Sequence, residues 1–411
     1  MTFLAELRYT VRALGKSPVF TLIAILSLAL GIGANTAVFT MLDQVLLRLL
    51  PARDPQQLAQ LSEVGVNYGS NSGLNSLSYP KYKQISEENQ VFSGMFARDS
   101  LALSVSFGGR NEVALGELVS GTYFDVLGVR PALGRLFTSH EDASRGGAPY
   151  AVLAYDYWQT RFAGNPSIIG QQILVNNHKL TVIGVAQRGF DGVEALFATK
   201  IFVPLIMAEQ LTQEDHPFDN RRRRYLQVFG RLKPGVTLAE AKASLQPIFH
   251  RIQEMEVQQK EFAHASPYSR EQYLRMTLDV MPGGGGQNEV RRFLEAPLWA
   301  MTAMVGLVLL IACANVANLL IARAMARQKE IAIKLAIGAS RARIVSQLLL
   351  ESLLLSLTGG LLALGISVVT LRSLAGILPQ MEPPLKWPTT PDLRVLSFTL
   401  WFRCSRRWSS A

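Results

Sequence analysis

Residue types and spacings that support chemistry are rare in this sequence. Gly15-Lys16-Ser17 resembles the end of a phosphate-binding loop, but that motif requires a glycine five residues before Gly15, where Thr10 stands. The histidines form no HExxH pair and have no cysteine close to them: His140, His178, His216, His250 and His264. No G-x-S-x-G nucleophile motif is present. We therefore expect no catalytic residue, no metal site and no cofactor bound by this chain.

The densest group of charges lies at residues 323–343, which hold six basic residues and one acidic residue between two apolar segments. Helical spacing places charged residues on one face and apolar residues on another, and it gives Glu330 and Lys334 the favourable i, i+4 order. The polar face holds Arg327, Glu330 and Lys334, and the apolar face holds Ile331, Leu335 and Gly338. Gly338 is also placed to end this helix, and Ser340 is placed to cap the next one. The pattern predicts a short helix that a partner contacts; a basic loop without a partner fits it equally well.

Three segments are long and apolar enough to cross a membrane. Residues 17–42, 296–322 and 352–371 contain no charge, and a helix of about 20 mostly apolar residues spans a bilayer. A cleaved signal peptide is the alternative for the first segment, although its apolar run exceeds the ~7–15 residues of a signal. Glu351 lies near the inner end of the third segment. It is either a functional group within the membrane or, in the simpler interpretation, a solvated residue at the membrane surface.

Composition and charge agree with a membrane protein. The 411 residues are 49% hydrophobic and 18% charged, whereas soluble domains carry about 25% charged residues. The net charge of +10 arises at residues 1–17, at residues 323–343 and in the tail after Leu371, all beside apolar segments. This bias follows the positive-inside rule and removes the main argument for nucleic-acid binding. It predicts a multi-pass protein whose N-terminus is cytoplasmic and whose residues 43–295 lie outside.

The segment between the first two predicted spans has the pattern of a mixed α/β domain. Asn176-Asn177-His178, between alternating apolar residues, predicts a β-hairpin, and Tyr225 to Leu232 predicts another strand. Thr237 and Glu240 have the capping-box spacing that begins a helix. The predicted buried face of that helix contains Leu238, Ala241, Leu245, Ile248, Phe249 and Ile252. The run Gly283–Gly286 predicts a flexible joint before the second span.

A set of motifs extends over most of the chain to about residue 371. The motifs are Leu7-Arg8-Tyr9 to Pro18, Leu28–Ala37, Val119–Val129, Pro131–Arg135, Trp158 with Arg161-Phe162, Gly164–Gly170, Arg231–Val236 and Glu330–Ala339. Taken together they resemble the MacB/FtsX-type ABC transporter permeases, particularly a branch with two permease modules in one chain. The resemblance implies a periplasmic core domain, a coupling helix that docks on a separate ATPase dimer, and ATP bound by that partner rather than by this chain. It also implies a second permease chain or module, contact with membrane lipid and no nucleic-acid partner.

The same resemblance assigns the ATPase contact to individual residues. They are Arg327, Glu330, Ile331, Lys334, Leu335, Gly338 and Ala339. It further implies a location in the bacterial inner (cytoplasmic) membrane. There, ATP-driven closure of the partner moves the outer domain and so exports or extracts an unidentified substrate.

The predicted fold class is a membrane α-helical bundle, with three complete spans and an aborted fourth, into which an extracytoplasmic α/β domain like the MacB periplasmic core is inserted. The predicted segments are a cytoplasmic amphipathic helix at 1–17, spans at 18–42, 296–322 and 344–371, the inserted domain at 43–295, the coupling segment at 323–343, and an extracytoplasmic segment with the incomplete fourth span at 372–411. The family has a complete fourth helix, whereas Arg403, Arg406 and Arg407 interrupt the apolar run that begins at Leu393. We therefore expect a truncated permease.

Two other classes of protein stay open. An FtsX-like signalling or regulatory subunit would use the outer domain to bind a ligand and the inner segment to report it, and an ATPase that co-purifies with the chain would favour the permease instead. A membrane-anchored enzyme would require turnover by the isolated outer domain. The role of Arg221–Arg224, four consecutive arginines in that domain, is not assigned by any motif.

Overall fold

The computed structural model describes residues 17–71, 76–194, 197–212, 218–287, 289–326 and 341–377, and the single residues Arg12, Gly15, Gln328, Ala332, Ile333 and Ala336. These residues fall into two compact units. One comprises Leu47–Arg292 and is called the outer domain below; the other contains the long helices that precede and follow it in the chain. The helix predicted at 1–17, apart from Arg12, Gly15 and Ser17, and the predicted fourth span lie outside the described residues.

Short helices and strands alternate irregularly between the long helices. The helices are α1 (Pro18–Leu42), α2 (Tyr79–Glu88), α3 (Tyr123–Leu127), α4 (Tyr155–Arg161), α5 (Ala208–Leu211), α6 (Leu238–Glu256), α7 (Pro267–Leu274), α8 (Glu289–Ala326) and α9 (Arg341–Ile377). The strands are β1 (Leu58–Val64), β2 (Phe92–Phe107), β3 (Arg110–Val119), β4 (Pro131–Gly134), β5 (Tyr150–Leu153), β6 (Gln172–Val175), β7 (His178–Ala186), β8 (Ile201–Pro204), β9 (Gln227–Leu232) and β10 (Thr277–Pro282).

The outer domain is built on one mixed sheet. Its strand order is β10-β1-β9-β2-β3-β8-β5-β7-β4, with β6 paired to β2 and β7. The β3–β8 and β5–β7 pairs are parallel, and the other pairs are antiparallel. Strand β2 pairs with β9 along its first half and with β3 and β6 along its second half, so it joins the two halves of the sheet. The predicted α/β class of this domain is confirmed.

The predicted hairpin is present between β6 and β7. Asn176 and Asn177 have φ values of 46° and 67°, the left-handed conformation that a two-residue type I′ turn requires and that asparagine tolerates. The Asn176 side chain also accepts a hydrogen bond from the backbone N–H of Ser104 on β2, at 2.8 Å. The turn residue therefore ties the hairpin to the central strand as well as reversing the chain.

The predicted capping box begins α6. The N–H of Glu240 donates to Thr237 Oγ1 at 3.2 Å, and the N–H of Thr237 donates to Glu240 Oε2 at 2.8 Å. The apolar face packs as predicted, with four side chains fully buried and two partly buried: Ala241, Leu245, Phe249 and Ile252, then Leu238 and Ile248. The strand predicted to start at Tyr225 begins slightly later, at Gln227.

The prediction of a flexible joint at the run of four glycines that begins at Gly283 is wrong. All four residues are buried. The N–H of Gly283 donates to the carbonyl of Leu58, and the carbonyl of Gly284 accepts from the N–H of Leu50, both at 2.8 Å. A Cβ at Gly284 would overlap the carbonyl oxygen of Pro55. Glycine is needed here because two backbones approach closely, and not because the chain must bend freely.

Three long apolar helices form the described part of the other unit. Helix α1 begins with a proline in its first turn, a favoured position because that N–H has no helical partner, and it coincides with the predicted first span. Helices α8 and α9 extend beyond the second and third predicted spans at both ends. By length and hydropathy, Pro18–Leu47, Arg291–Arg323 and Leu353–Ser373 are each able to cross a membrane.

Candidate functional site

The predicted ATPase-contact residues lie outside the described residues, so their placement stays a prediction. They are Arg327, Glu330, Ile331, Lys334, Leu335, Gly338 and Ala339. The structure does describe the helices on either side of them, α8 as far as Ala326 and α9 from Arg341. The candidate site is therefore built from these helix ends and from the start of α1.

A buried ion pair joins α8 to α9 near the helix ends that border the predicted coupling segment in the sequence. Arg323 Nη1 lies 3.8 Å from Glu351 Oε2, and the two side chains are 10% and 4% exposed. The guanidinium of Arg323 also lies over the ring of Phe20 on α1, 4.8 Å from its centroid. The interpretation of Glu351 as a solvated surface residue is wrong. Its partner lies 28 residues earlier in the chain, which local sequence patterns do not reveal.

An apolar layer from the same three helices lies next to this ion pair. Ala24 of α1 and Leu355 of α9 are almost fully buried, and Phe20, Leu354 and Val316 pack around them. Because Leu355 is one helical turn beyond Glu351, the ion pair adjoins this packed layer along α9. The contact between the three helices is thus partly apolar and partly ionic.

Two glycines of α1 let its neighbours approach closely. A Cβ at Gly31 would lie 3.2 Å from the Cβ of Ala312 on α8, and a Cβ at Gly33 would lie 3.0 Å from Ile366 Cγ2 on α9. Small residues at helix contacts are typical of membrane bundles, where close van der Waals packing drives association. In the sequence, these glycines are part of the motif Leu28–Ala37, and the motif alone does not reveal their role in helix packing. Because the two glycines are two residues apart, they lie on different sides of α1 and face different helices. This spacing is the sequence signal that indicates two close helix contacts.

The four consecutive arginines of the outer domain are held by partners within that domain. Each guanidinium has a separate contact. Arg221 donates to Gln84 (2.7 Å), Arg222 lies over Tyr68 (5.3 Å to the centroid), Arg223 lies over Tyr225 (4.7 Å) and Arg224 pairs with Glu63 (2.7 Å). The cluster therefore connects this segment to its neighbours inside the domain.

One of these contacts belongs to a buried ionic network. Lys81 on α2, 1% exposed, donates to both carboxylate oxygens of Glu63 on β1, at 3.1 and 3.2 Å, and to the hydroxyl of Tyr273 on α7, at 2.9 Å. Glu256 on α6 lies 3.4 Å from the same ammonium. Burial raises the pKa of Glu256 and the pKa of Tyr273. The network therefore ties three helices to β1, next to the edge strand of the sheet.

A second ionic cluster lies under the centre of the sheet. Arg98 on β2 is fully buried and pairs with Glu117 on β3, at 3.1 Å, and with Glu194. Glu117 also accepts hydrogen bonds from Tyr123 and Thr199, both at 2.7 Å. One buried guanidinium thus faces two carboxylates, and Glu117 is further stabilised by the two hydroxyl donors. Both clusters therefore connect elements within the outer domain.

The described residues offer no arrangement suited to bind a metal. No group of three or more histidine, cysteine, aspartate or glutamate side chains among them has metal-site geometry. Of the five histidines, His216 lies outside the described residues, and His250 pairs with Glu254 at 3.3 Å. An open cavity of about 380 Å³ lies at the tip of the β2–β3 hairpin, and its lining includes Phe107, Arg110 and Arg161.

The folded domain and the flanking apolar helices correspond to two known family models. The MacB-like periplasmic core domain matches residues 21–248, and the FtsX-like permease C-terminal domain matches residues 302–402. The first match alone covers more than half of the chain. The chain therefore belongs to the MacB/FtsX-type family of ABC transporter permeases.

Individual relatives agree with this family. The macrolide export ATP-binding/permease protein MacB of Escherichia coli O157:H7 is 24% identical over 382 residues, a match that covers 90% of this chain and 53% of the relative. MacB of Escherichia coli strain K12 is 23% identical over the same coverage. The chain thus spans about half the length of these curated relatives.

Solved structures of extracytoplasmic regions also match. The periplasmic region of MacB from Actinobacillus actinomycetemcomitans has 15% identity and a TM-score of 0.40, and the match covers 59% of this chain and 94% of that structure. The extracellular domain of the noncanonic ABC-type transporter YknZ from Gram-positive bacteria has 14% identity and a TM-score of 0.37, with 55% of this chain and 99% of that structure covered.

Proposed function

We propose that this chain is the permease subunit of an ABC transporter whose ATPase is a separate protein, and that it transmits ATP-driven motion to the outer domain. The observation that carries the proposal is the order of elements in the chain. A compact domain that matches the MacB-like core follows α1, and two further apolar helices, α8 and α9, flank the segment that resembles a coupling helix. A push on that segment reaches both helices directly. Export or extraction of a substrate then follows from movement of the outer domain.

The three long helices are proposed to form part of a bundle in the bacterial inner membrane. Their length and hydropathy and the contacts of Gly31 and Gly33 support this. The basic residues beside the helices support a cytoplasmic N-terminus, since lysine and arginine concentrate on the cytoplasmic side. The outer domain then lies on the opposite side of the membrane from the ATPase.

The residues proposed to contact the ATPase are those with the spacing of the family's coupling segment. They are Arg327, Glu330, Ile331, Lys334, Leu335, Gly338 and Ala339. ATP is proposed to bind the ATPase dimer alone, with no cofactor on this chain. A second permease chain or module would complete the assembly, since an ATPase dimer offers two equivalent docking faces.

A second candidate function is an FtsX-like regulatory subunit. The match of the FtsX-like permease C-terminal domain to residues 302–402 is the observation that favours it. Such a subunit would use the same helices to report on the outer domain. Ligand binding that alters a kinase or a cell-wall hydrolase, with no co-purifying ATPase, would support this function instead of the permease.

The proposal is tested by affinity purification of the tagged full chain from detergent-solubilised native membranes, with ATPase activity measured in the eluate. The double variant Glu330→Lys, Gly338→Trp should lose the ATPase, because it reverses a charge and adds bulk on the proposed docking face. Glu271→Lys, at an exposed acidic residue of the outer domain, is the matched control and should retain the ATPase. Eluates without ATPase from both the parent and the control would contradict the permease function.

A further inference from the structure

One contact that links the three long helices is the ion pair between Arg323 and Glu351, with the ring of Phe20 beside it. Arg323 is the last residue of the candidate span on α8, and Glu351 lies two residues before the candidate span on α9. Both therefore lie at corresponding ends of these spans. The chain between them, residues 324–350, contains the predicted coupling segment except for its first residue, Arg323 itself. The ion pair therefore joins the two helices at the points between which this part of the chain runs.

We infer that Arg323 and Glu351 form a clamp that fixes the ends of α8 and α9 relative to each other, so that force on the coupling segment moves both helices, and α1 through Phe20, as one body. The transmission part of this inference rests on the proposed function. Arg323 and Glu351 are positioning residues in this scheme. Their side chains hold helices in place and are not proposed to touch the ATPase.

Burial makes the two side chains depend on each other. Both are at least nine-tenths buried, beside an apolar layer that includes Ala24 and Leu355. A charge in such surroundings is costly unless an opposite charge lies close to it. Removal of either charge takes one opposite charge away from the other buried group at the helix contact, whereas exchange of the two charges keeps both signs at that contact.

The position of the clamp along each helix determines what it transmits. Helix α8 continues past Arg323 at least to Ala326, and α9 is helical from at least Arg341, ten residues before Glu351. At ~1.5 Å per residue, the start of α9 extends about 15 Å beyond the clamp. A load applied at the coupling segment therefore acts on α9 as on a lever with the clamp as its pivot. Without the pair, the same load would separate the helix ends before it moved the rest of the unit.

The experiment compares hydrogen exchange of the full chain in detergent or nanodiscs, read by mass spectrometry in peptides from 320–326 and 341–350. The variants are Arg323→Gln, Glu351→Gln and the exchanged pair Arg323→Glu, Glu351→Arg. Arg372→Gln is the matched control, because it removes an arginine at the exposed far end of α9. We expect each single variant to exchange about three- to tenfold faster in both peptides, the range that interhelical polar contacts in membranes support. The exchanged pair should recover most of the protection, and the control should match the parent.

A second measurement separates the clamp from the proposed function. Each variant is purified with its ATPase, and the ATP-dependent change in exchange of the outer domain is recorded. We expect the single variants to retain the ATPase but to lose most of this change, and the exchanged pair to regain it.

Parent-like exchange at both helix ends in the single variants would overturn the clamp, as would loss of protection that the exchanged pair does not restore. If the parent binds no ATPase, the permease function fails, and the exchange at the helix ends still decides the clamp. If a single variant does not accumulate, restored accumulation of the exchanged pair supports the clamp and continued absence overturns it.

Discussion

Replacement of Asp99 by asparagine is expected to stabilise the outer domain at neutral pH. Asp99 lies on β2, and burial raises its pKa to about 6, even though Arg98, the N–H of Ser100 and Arg223 all act to lower it. An unfolded aspartate has a pKa of about 3.9. The folded domain therefore holds this proton more tightly than the unfolded chain does. Stability is lost as the pH rises from about 4 to about 6, because the folded state must then accommodate a buried charge.

The magnitude follows from the difference between the two pKa values. About two pKa units at ~1.4 kcal/mol each give about 3 kcal/mol as an upper value. Asp99 is only partly buried by its accessible surface, so solvent screening reduces this figure to about 1–3 kcal/mol. Asparagine cannot ionise and keeps nearly the same shape. The variant should therefore equal the parent near pH 4 and exceed it in free energy of unfolding by about 1–3 kcal/mol at pH 7.

The assay is urea unfolding of the isolated outer domain, residues 47–292, at several pH values between 4 and 7.5. This segment has its own core, and its two ends lie together, since the N–H of Leu50 bonds to the carbonyl of Gly284 at 2.8 Å. Asp156→Asn is the matched control, because it makes the same side-chain change at an exposed site on α4. A difference between Asp99→Asn and the parent that stays constant from pH 4 to pH 7 would refute the reasoning.

Two further substitutions test the packing of each unit. Gly33→Leu should weaken the contact between α1 and α9 by about 1–3 kcal/mol and lower the thermal midpoint of the full chain in detergent, because a Cβ there already lies 3.0 Å from Ile366. Gly360→Leu, with open space around its Cβ, should change the midpoint little, and equal shifts for both variants would count against the close contact. Lys81→Met should cost the outer domain about 1.5–3 kcal/mol in urea unfolding at pH 7, because Glu63 and Glu256 lose the ammonium that bonds them and keep only their arginine partners, Arg224 and Arg221. Lys242→Met, in an exposed pair, should cost less than about 1 kcal/mol, and a comparable loss in both variants would show that the buried network has no special weight.

Features that depend on local chain geometry could be predicted from the sequence. The asparagines at 176 and 177 define a hairpin because few residues adopt positive φ, and Thr237 with Glu240 define a helix start because their hydrogen bonds span only three residues. Long apolar segments are equally local, so the three long helices were predictable as well.

Features that depend on contacts between distant segments could not be predicted in this way. The glycines from Gly283 onward have the composition of a linker, but their role is set by the backbone around Leu58 and Leu50. Glu351 likewise looks like an interfacial residue until Arg323 is placed beside it. The partners of Arg221, Arg222 and Arg224 also lie more than 100 residues earlier in the chain, so local sequence patterns do not reveal them. The ATPase-contact residues remain a prediction from family resemblance.

The neighbouring positions of β1 and β10 have a consequence for how such permeases diversify. These strands are the first and last of the outer domain, and they pair antiparallel, with Ala59 opposite Pro282. The chain therefore enters and leaves the domain at one edge. Another domain whose first and last strands are adjacent fits the same two connections to the long helices. The outer domain is therefore exchangeable as a unit. Under the proposed function, selection can exchange what is handled outside the cell while the membrane helices and the motor that drives them are kept.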